Sequence, residues 1–192
     1  MGLSNRRQRL FTEKEYLSLE DDAKEKSEFY QGRIYAMAGG SPEHGEVSSN
    51  TIYALVKALQ EQPCKVYSSD VRVKIANSTL YTYPDASVTC NKPKLYLYKN
   101  TKTLMNPTLI VEVLSPTTEK YDRTGKFESY KSILSFTDYL LISQDRARVE
   151  HFVRQEDQSW SCIVSEGLDA TVKIESLECE LPLSEIYLKV DL

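Results

Sequence analysis

Thr108-Leu109-Ile110-Val111-Glu112-Val113-Leu114 is a short, nearly unbroken apolar run, entered after Pro107 and ended before Pro116. Its length and β-branched content suit a strand. Continuous rather than alternating hydrophobicity predicts burial on both faces, at the centre of a sheet. Glu112 stands inside that run. An ionised carboxylate there is costly unless it is ion-paired, hydrogen-bonded or bound to a cation, or unless the strand end reaches solvent.

Working back from this strand, Tyr83-Pro84-Asp85-Ala86-Ser87-Val88 places a second acid straight after a proline, where the chain is extended and its pairing interrupted. Asp85 taken alone also suits an ordinary Asx turn. Taken with Glu112, it makes the kind of oxygen-donor pair that hard divalent cations prefer. Before it, Val71, Val73 and Ile75 alternate with polar residues, Ala76-Asn77-Ser78 supplies a turn, and Leu80, Tyr81 and Tyr83 resume an extended pattern through Val88, which reads as a hairpin leading into Asp85.

Earlier still, Glu43 to Glu61 has amphipathic helical spacing at Val47, Ile52, Leu55, Val56 and Leu59, with Pro63 just beyond. Glu28 to Ala38 reads as two short strands joined at Gln31-Gly32, followed by a Gly39-Gly40-Ser41-Pro42 loop. Thr12 and Glu15 form a capping box for a helix from Glu13 to about Glu20, extended here through the charged stretch to Ser27, after a flexible basic tail over residues 1–10. Downstream of Pro116, Thr117 or Thr118 caps a helix to about Ile133. Strands follow at Phe136–Ser143, Arg148–Arg154, Trp160–Val164 and Thr171–Ile174. The order predicts a mixed α/β domain, one domain over residues 1–192, with a central mixed sheet flanked by helices and extra strands on the C-terminal side.

Composition narrows the function classes. At 192 residues with 41% hydrophobic and 27% charged residues, the chain is of ordinary globular make-up. A net charge of −4 argues against a cationic DNA-coating protein but not against a nuclease, since bound metal adds positive charge locally. No apolar run approaches the ~18 residues of a membrane span, and no apolar stretch follows the basic N-terminus, so a cytoplasmic location is expected. Cys64, Cys90, Cys162 and Cys179 lack any C-x-x-C spacing and are expected to be reduced, half-buried strand residues. Neither a G-x-S-x-G elbow, a P-loop, an H-E-x-x-H helix nor a Rossmann fingerprint is present.

An ordered set of segments resembles the Uma-two family of endonucleases, a branch of the PD-(D/E)xK nuclease superfamily. The matching segments are Glu28 to Gly39, His44, Ser69-Asp70-Val71-Arg72-Val73, Tyr83-Pro84-Asp85, Val111 to Pro116, Tyr121-Asp122-Arg123 with Lys126-Phe127, and Tyr139 to Ile142, covering roughly Phe11 to Arg154. The resemblance implies a restriction-endonuclease-like core holding Mg²⁺ or Mn²⁺, with DNA as substrate. On that reading Asp85 and Glu112 are metal ligands, joined by the Val113 carbonyl and by Glu28, which is similar to the acid the superfamily supplies from its first helix. One departure stands out: the usual lysine two residues after the glutamate is Leu114 here. A lysine from the following helix is then the substitute, and Lys126 is the matching position. Asp122, four residues earlier, also suits an ordinary helical ion pair with it. Asp70, His44, Asp122 and Tyr130 are accessory positions. Two alternatives to an active endonuclease remain: a nuclease-fold binding module without catalysis, and an assembly protein with Glu112 ion-paired in the core at a homodimer interface.

Overall fold

The computed structural model describes residues 9–75, 79–99 and 101–192; the Ala76-Asn77-Ser78 turn and the greater part of the N-terminal tail lie outside the described residues. Thr12 caps α1 (Glu13–Asp21) through the reciprocal box with Glu15. The helix does not run on to Ser27: acids at Glu20, Asp21 and Asp22 oppose the dipole at its C-terminal end, and Ser27 already belongs to β1 (Ser27–Tyr30). β1 pairs antiparallel with β2 (Arg33–Ala36) across a turn in which Gln31 and Gly32 both take positive φ, at 46° and 79°. Ser41 caps α2 (Pro42–Ala58), which ends three residues before the expected Glu61.

Beyond α2 come β3 (Cys64–Ser68), β4 (Val73–Lys74), β5 (Tyr81–Thr82), β6 (Ala86–Cys90), β7 (Leu95–Tyr98), β8 (Thr101–Leu104) and β9 (Leu109–Leu114). β4 and β5 form the expected antiparallel pair. The extended stretch from Leu80 to Val88, however, is two strands in two sheets, divided at Pro84, whose missing N–H cannot continue a ladder. After β9 the chain forms a broken helical segment, α3 (Glu119–Tyr121), one π-helical turn (Asp122–Lys126) and α4 (Phe127–Tyr130). Neither Thr117 nor Thr118 caps it; Ser115 Oγ accepts from the Thr118 N–H instead. β10 (Asp138–Ser143), β11 (Arg148–Arg154), β12 (Trp160–Glu166), β13 (Thr171–Ile174), a 3₁₀ turn, β14 (Cys179–Pro182) and α5 (Leu183–Ile186) complete the chain.

The expected single sheet is thus two six-stranded mixed sheets, ordered β2-β1-β5-β4-β8-β7 and β12-β11-β10-β9-β6-β3, with a β13-β14 hairpin besides. β9 lies inside the second sheet, parallel to β10 and antiparallel to β6, and all six of its residues are buried. Its side chains divide by face. Leu109, Val111 and Val113 pack with Val47, Leu55 and the C-terminal hairpin, whereas Ile110 and Leu114 pack with Phe127, Tyr130 and Tyr139. Glu112 therefore faces the broken helix. No helix among the described residues is long and apolar enough to cross a membrane.

The cysteines depart from expectation at one place. Cys64 and Cys90 oppose each other in the β3–β6 ladder, with Cα atoms 3.9 Å apart, and form a disulfide, while Cys162 and Cys179 are free. Strand register, which residue spacing does not reveal, brings the pair together.

Candidate active site

The β6–β9 register starts the site. Ala86 pairs with Val111, so one step further the chain sets Asp85 opposite Glu112. Pro84 ends the ladder there, and Asp85 Oδ2 instead accepts the Val113 N–H at 2.7 Å. Glu112, 3% exposed, points into the space beneath the broken helix. Its Oε1 accepts from the Tyr130 hydroxyl at 2.9 Å and lies 3.2 Å from Lys126 Nζ. Leu114, at the usual lysine position, is packed in the apolar cluster.

Lys126 is the hub. Its ammonium is 3.2 Å from carboxylate oxygens of Glu112, Glu28 and Asp122 alike, and the residue is only 6% exposed. The helical pair with Asp122 exists, but as one spoke of a buried cluster rather than a solvated surface pair. The π turn, which contains Gly125, carries Asp122 and Lys126 on the face toward Glu112. Glu28 arrives from β1, a strand rather than the helix that the resemblance suggested, and is held by the Thr82 hydroxyl and by the Tyr83 N–H at 3.4 Å. Tyr130 also reaches Thr82, at 3.3 Å, tying the two sheets across the site.

Charge is unbalanced here. Burial drives the Glu112 carboxyl well above the usual carboxylate range; Lys126 works against this, while Asp122, Asp85 and Glu28 reinforce it. Burial also raises Asp122, against Lys126 and the Thr118 hydroxyl. Burial alone would lower the Lys126 pKa, but the surrounding acids overcome it, and the ammonium stays charged. His44, in the first turn of α2, brings Nε2 to 3.4 Å from Asp85 Oδ2. Its pKa is raised by that carboxylate, with burial opposing and the Val113 carbonyl adding to the rise. Asp70 stands apart: it pairs with Lys26 at 2.6 Å on the surface and takes no part in the cluster.

These groups form the floor of a cavity of about 770 Å³ whose walls include Tyr30, Tyr35, Met37, Tyr121 and Gln144. Tyr121 lies in a segment that carries the family resemblance but has no role there, and Gln144 lies outside every such segment. A glycine one residue before the candidate lysine, inside a helical pattern, is the one local signal that the helix is irregular there.

The donor set suits a hard divalent cation in its chemistry. Four carboxylates, Glu28, Asp85, Glu112 and Asp122, face one lysine and one histidine, and Asp122 Oδ1 is buried without a directed hydrogen bond. Yet among the described residues no three His, Cys, Asp or Glu side chains stand close enough together to grip an ion as they are; the acids are turned to Lys126 and the Val113 amide instead.

Two mixed sheets flanked by helices, with buried acids where one sheet's centre meets a broken helix, are the layout of a restriction-endonuclease-like protein. The chain belongs to the Uma2 (Uma-two) family, described as "Putative restriction endonuclease", whose sequence profile matches residues 13–184. Two uncharacterized proteins of Synechocystis are 35% and 36% identical to it, over 90% and 87% of this chain and 89% and 93% of their own length. The crystal structure of "a putative nuclease belonging to DUF820" from Anabaena variabilis superposes with a TM-score of 0.72, covering 92% of this chain and 97% of that one at 20% identity, a likeness of fold.

Proposed function

We propose that the chain is a divalent-metal-dependent endonuclease that hydrolyses DNA phosphodiester bonds at the Asp85–Glu112 site. The observation that carries this reading is the gathering of Glu28, Glu112 and Asp122 on Lys126 at the floor of an open cavity, with Asp85 beside them. A fold has no structural need for so much buried negative charge around a single lysine, and such perturbed clusters in clefts mark functional sites.

Asp85, Glu112, Glu28 and the Val113 carbonyl would hold Mg²⁺ or Mn²⁺. Such an ion, when bound, supplies Lewis-acid polarisation of a phosphoryl oxygen and makes water acidic enough to attack near neutral pH. The protein's own part is positional. Tyr130 and the Val113 amide fix the two principal carboxylates by donating to them. Burial keeps the Tyr130 phenol protonated, so it remains a donor. Lys126 takes the place left empty by Leu114, where its charge orients the attacking water and offsets charge on the phosphorus in the transition state. His44 holds Asp85 from the cavity side.

That no three His, Cys, Asp or Glu side chains among the described residues are set to grip an ion favours a second reading, a nuclease-fold binding module that has lost catalysis. Nicking of supercoiled plasmid in Mg²⁺ or Mn²⁺ separates the two. Wild type should cut, EDTA should stop it, and Asp85→Asn and Glu112→Gln should each abolish cutting while staying folded, since they remove charge but little volume. Cutting by both variants at the wild-type rate would assign the activity to another site, and no cutting by wild type would favour the binding module.

A further inference from the structure

We propose that the cavity over the carboxylates receives one unpaired nucleobase, so that the substrate is single-stranded or locally opened nucleic acid rather than continuous duplex; this rests on the nuclease reading above. The floor lies deep. Glu112, Asp122 and Lys126 are 3%, 1% and 6% exposed, so a phosphate reaches them only if its nucleotide enters the cavity. A nucleotide stacked and paired in a duplex cannot enter without leaving the stack. At about 770 Å³, the cavity is of the size that holds small-molecule ligands.

Its walls match a base. Tyr30, Tyr35 and Tyr121 line it together, and aromatic faces stack on any base whatever its sequence. Tyr121 is held in place from behind: a Cβ at Gly125 would come within 2.7 Å of its ring. Gln144 lines the same cavity, and its Oε1 is buried without a hydrogen-bond partner. A buried amide oxygen left unpaired is unfavourable, and the exposed edge of an unpaired base offers the donor it lacks; in a duplex that edge is occupied.

The charge of the chain points the same way. Proteins that track a duplex through its phosphates use many Lys and Arg contacts, whereas this chain carries a net −4 and a cavity floor rich in acids. Stacking supplies affinity without that charge.

The test compares cleavage in Mn²⁺ of one oligonucleotide as a single strand, as a perfect duplex and as a duplex with a central bulge, by wild type, Tyr121→Phe, Tyr121→Leu and Gln144→Leu. The single strand and the bulged duplex should be cut roughly tenfold or more faster than the perfect duplex, the cost of unstacking one nucleotide. Tyr121→Leu should raise KM for the single strand by about 5- to 150-fold with kcat kept, the loss of one base stack, and Tyr121→Phe should resemble wild type. Gln144→Leu should raise KM for some bases more than for others. Cleavage of the perfect duplex as fast as the single strand, or an unchanged KM in Tyr121→Leu, overturns the inference and leaves the nuclease reading standing. Neither cleavage nor gel-shift binding of any of the three substrates removes both.

Discussion

Lys126 lies 3.2 Å from each of three buried acids, and that geometry separates it from every other lysine nearby. Lys120, two residues after Thr118 and exposed, is the natural control. Lys126→Met should lower the cleavage rate by ~10²-fold or more, as expected for a lost electrostatic stabiliser, while Lys120→Met leaves it unchanged. Equal rates would remove Lys126 from the chemistry. The same substitution strands Glu28, Glu112 and Asp122 without a cation. It should therefore cost about 3–5 kcal/mol of stability at neutral pH, and less in acid, where the carboxylates take up protons.

Glu112 supplies a second test at this scale. Burial raises its folded-state pKa above the unfolded value, so the folded state binds more protons, and its contribution to stability falls as pH rises from the ordinary carboxylate range upward. Metal-free Glu112→Gln should then melt above metal-free wild type at pH 8, with the gap closing toward pH 5. Added Mn²⁺ should raise the melting temperature of wild type and not that of the variant. A variant that melts below wild type at pH 8 would mean that Glu112 is a fully compensated ion-pair partner.

At the scale of elements, the broken helix after Pro116 and the β3–β6 edge each carry a prediction. Gly125 sits in the π turn against the Tyr121 ring. Glycine to alanine inside a helix ordinarily stabilises by up to about 1 kcal/mol, but here the added Cβ meets the ring. Gly125→Ala should raise KM for single-stranded substrate by displacing Tyr121, with no gain in melting temperature; a more stable variant with unchanged KM would show that the ring is not held by this contact. The Cys64–Cys90 disulfide closes a loop across a sequence separation of 26. Cys64→Ala should therefore cost about 2–4 kcal/mol, seen as a lower denaturation midpoint than wild type in buffer without reductant, a difference that reductant abolishes. Identical midpoints without reductant would argue that the bond does not form in solution.

At the scale of the whole molecule, what the sequence disclosed and what it hid divide along the range of the interactions. The buried strand at Leu109–Leu114 was legible because an unbroken apolar run has one economical use, and Glu112 was legible because nothing local could neutralise it. Asp85 followed from the proline before it. The position of Lys126 beside Glu112 followed from helical spacing and the family resemblance, although the π turn that carries it did not. The division into two sheets, the disulfide and the meeting of Tyr121 with Gln144 in one cavity were hidden, because each depends on register between segments far apart in the chain. Thr82 escaped notice for the same reason: its hydroxyl matters only because β5 lies beside β1 and beneath Tyr130.

The proposed metal site rests on Asp85 and Glu112, in a cluster whose carboxylates outnumber its one lysine. Anomalous diffraction from a crystal soaked in Mn²⁺ tests it most directly. A single strong peak is expected between the Asp85 and Glu112 carboxylates, absent from Glu112→Gln crystals treated in the same way. No peak there in the wild-type crystal at millimolar Mn²⁺, with Lys126 still seated among the three acids, would contradict it.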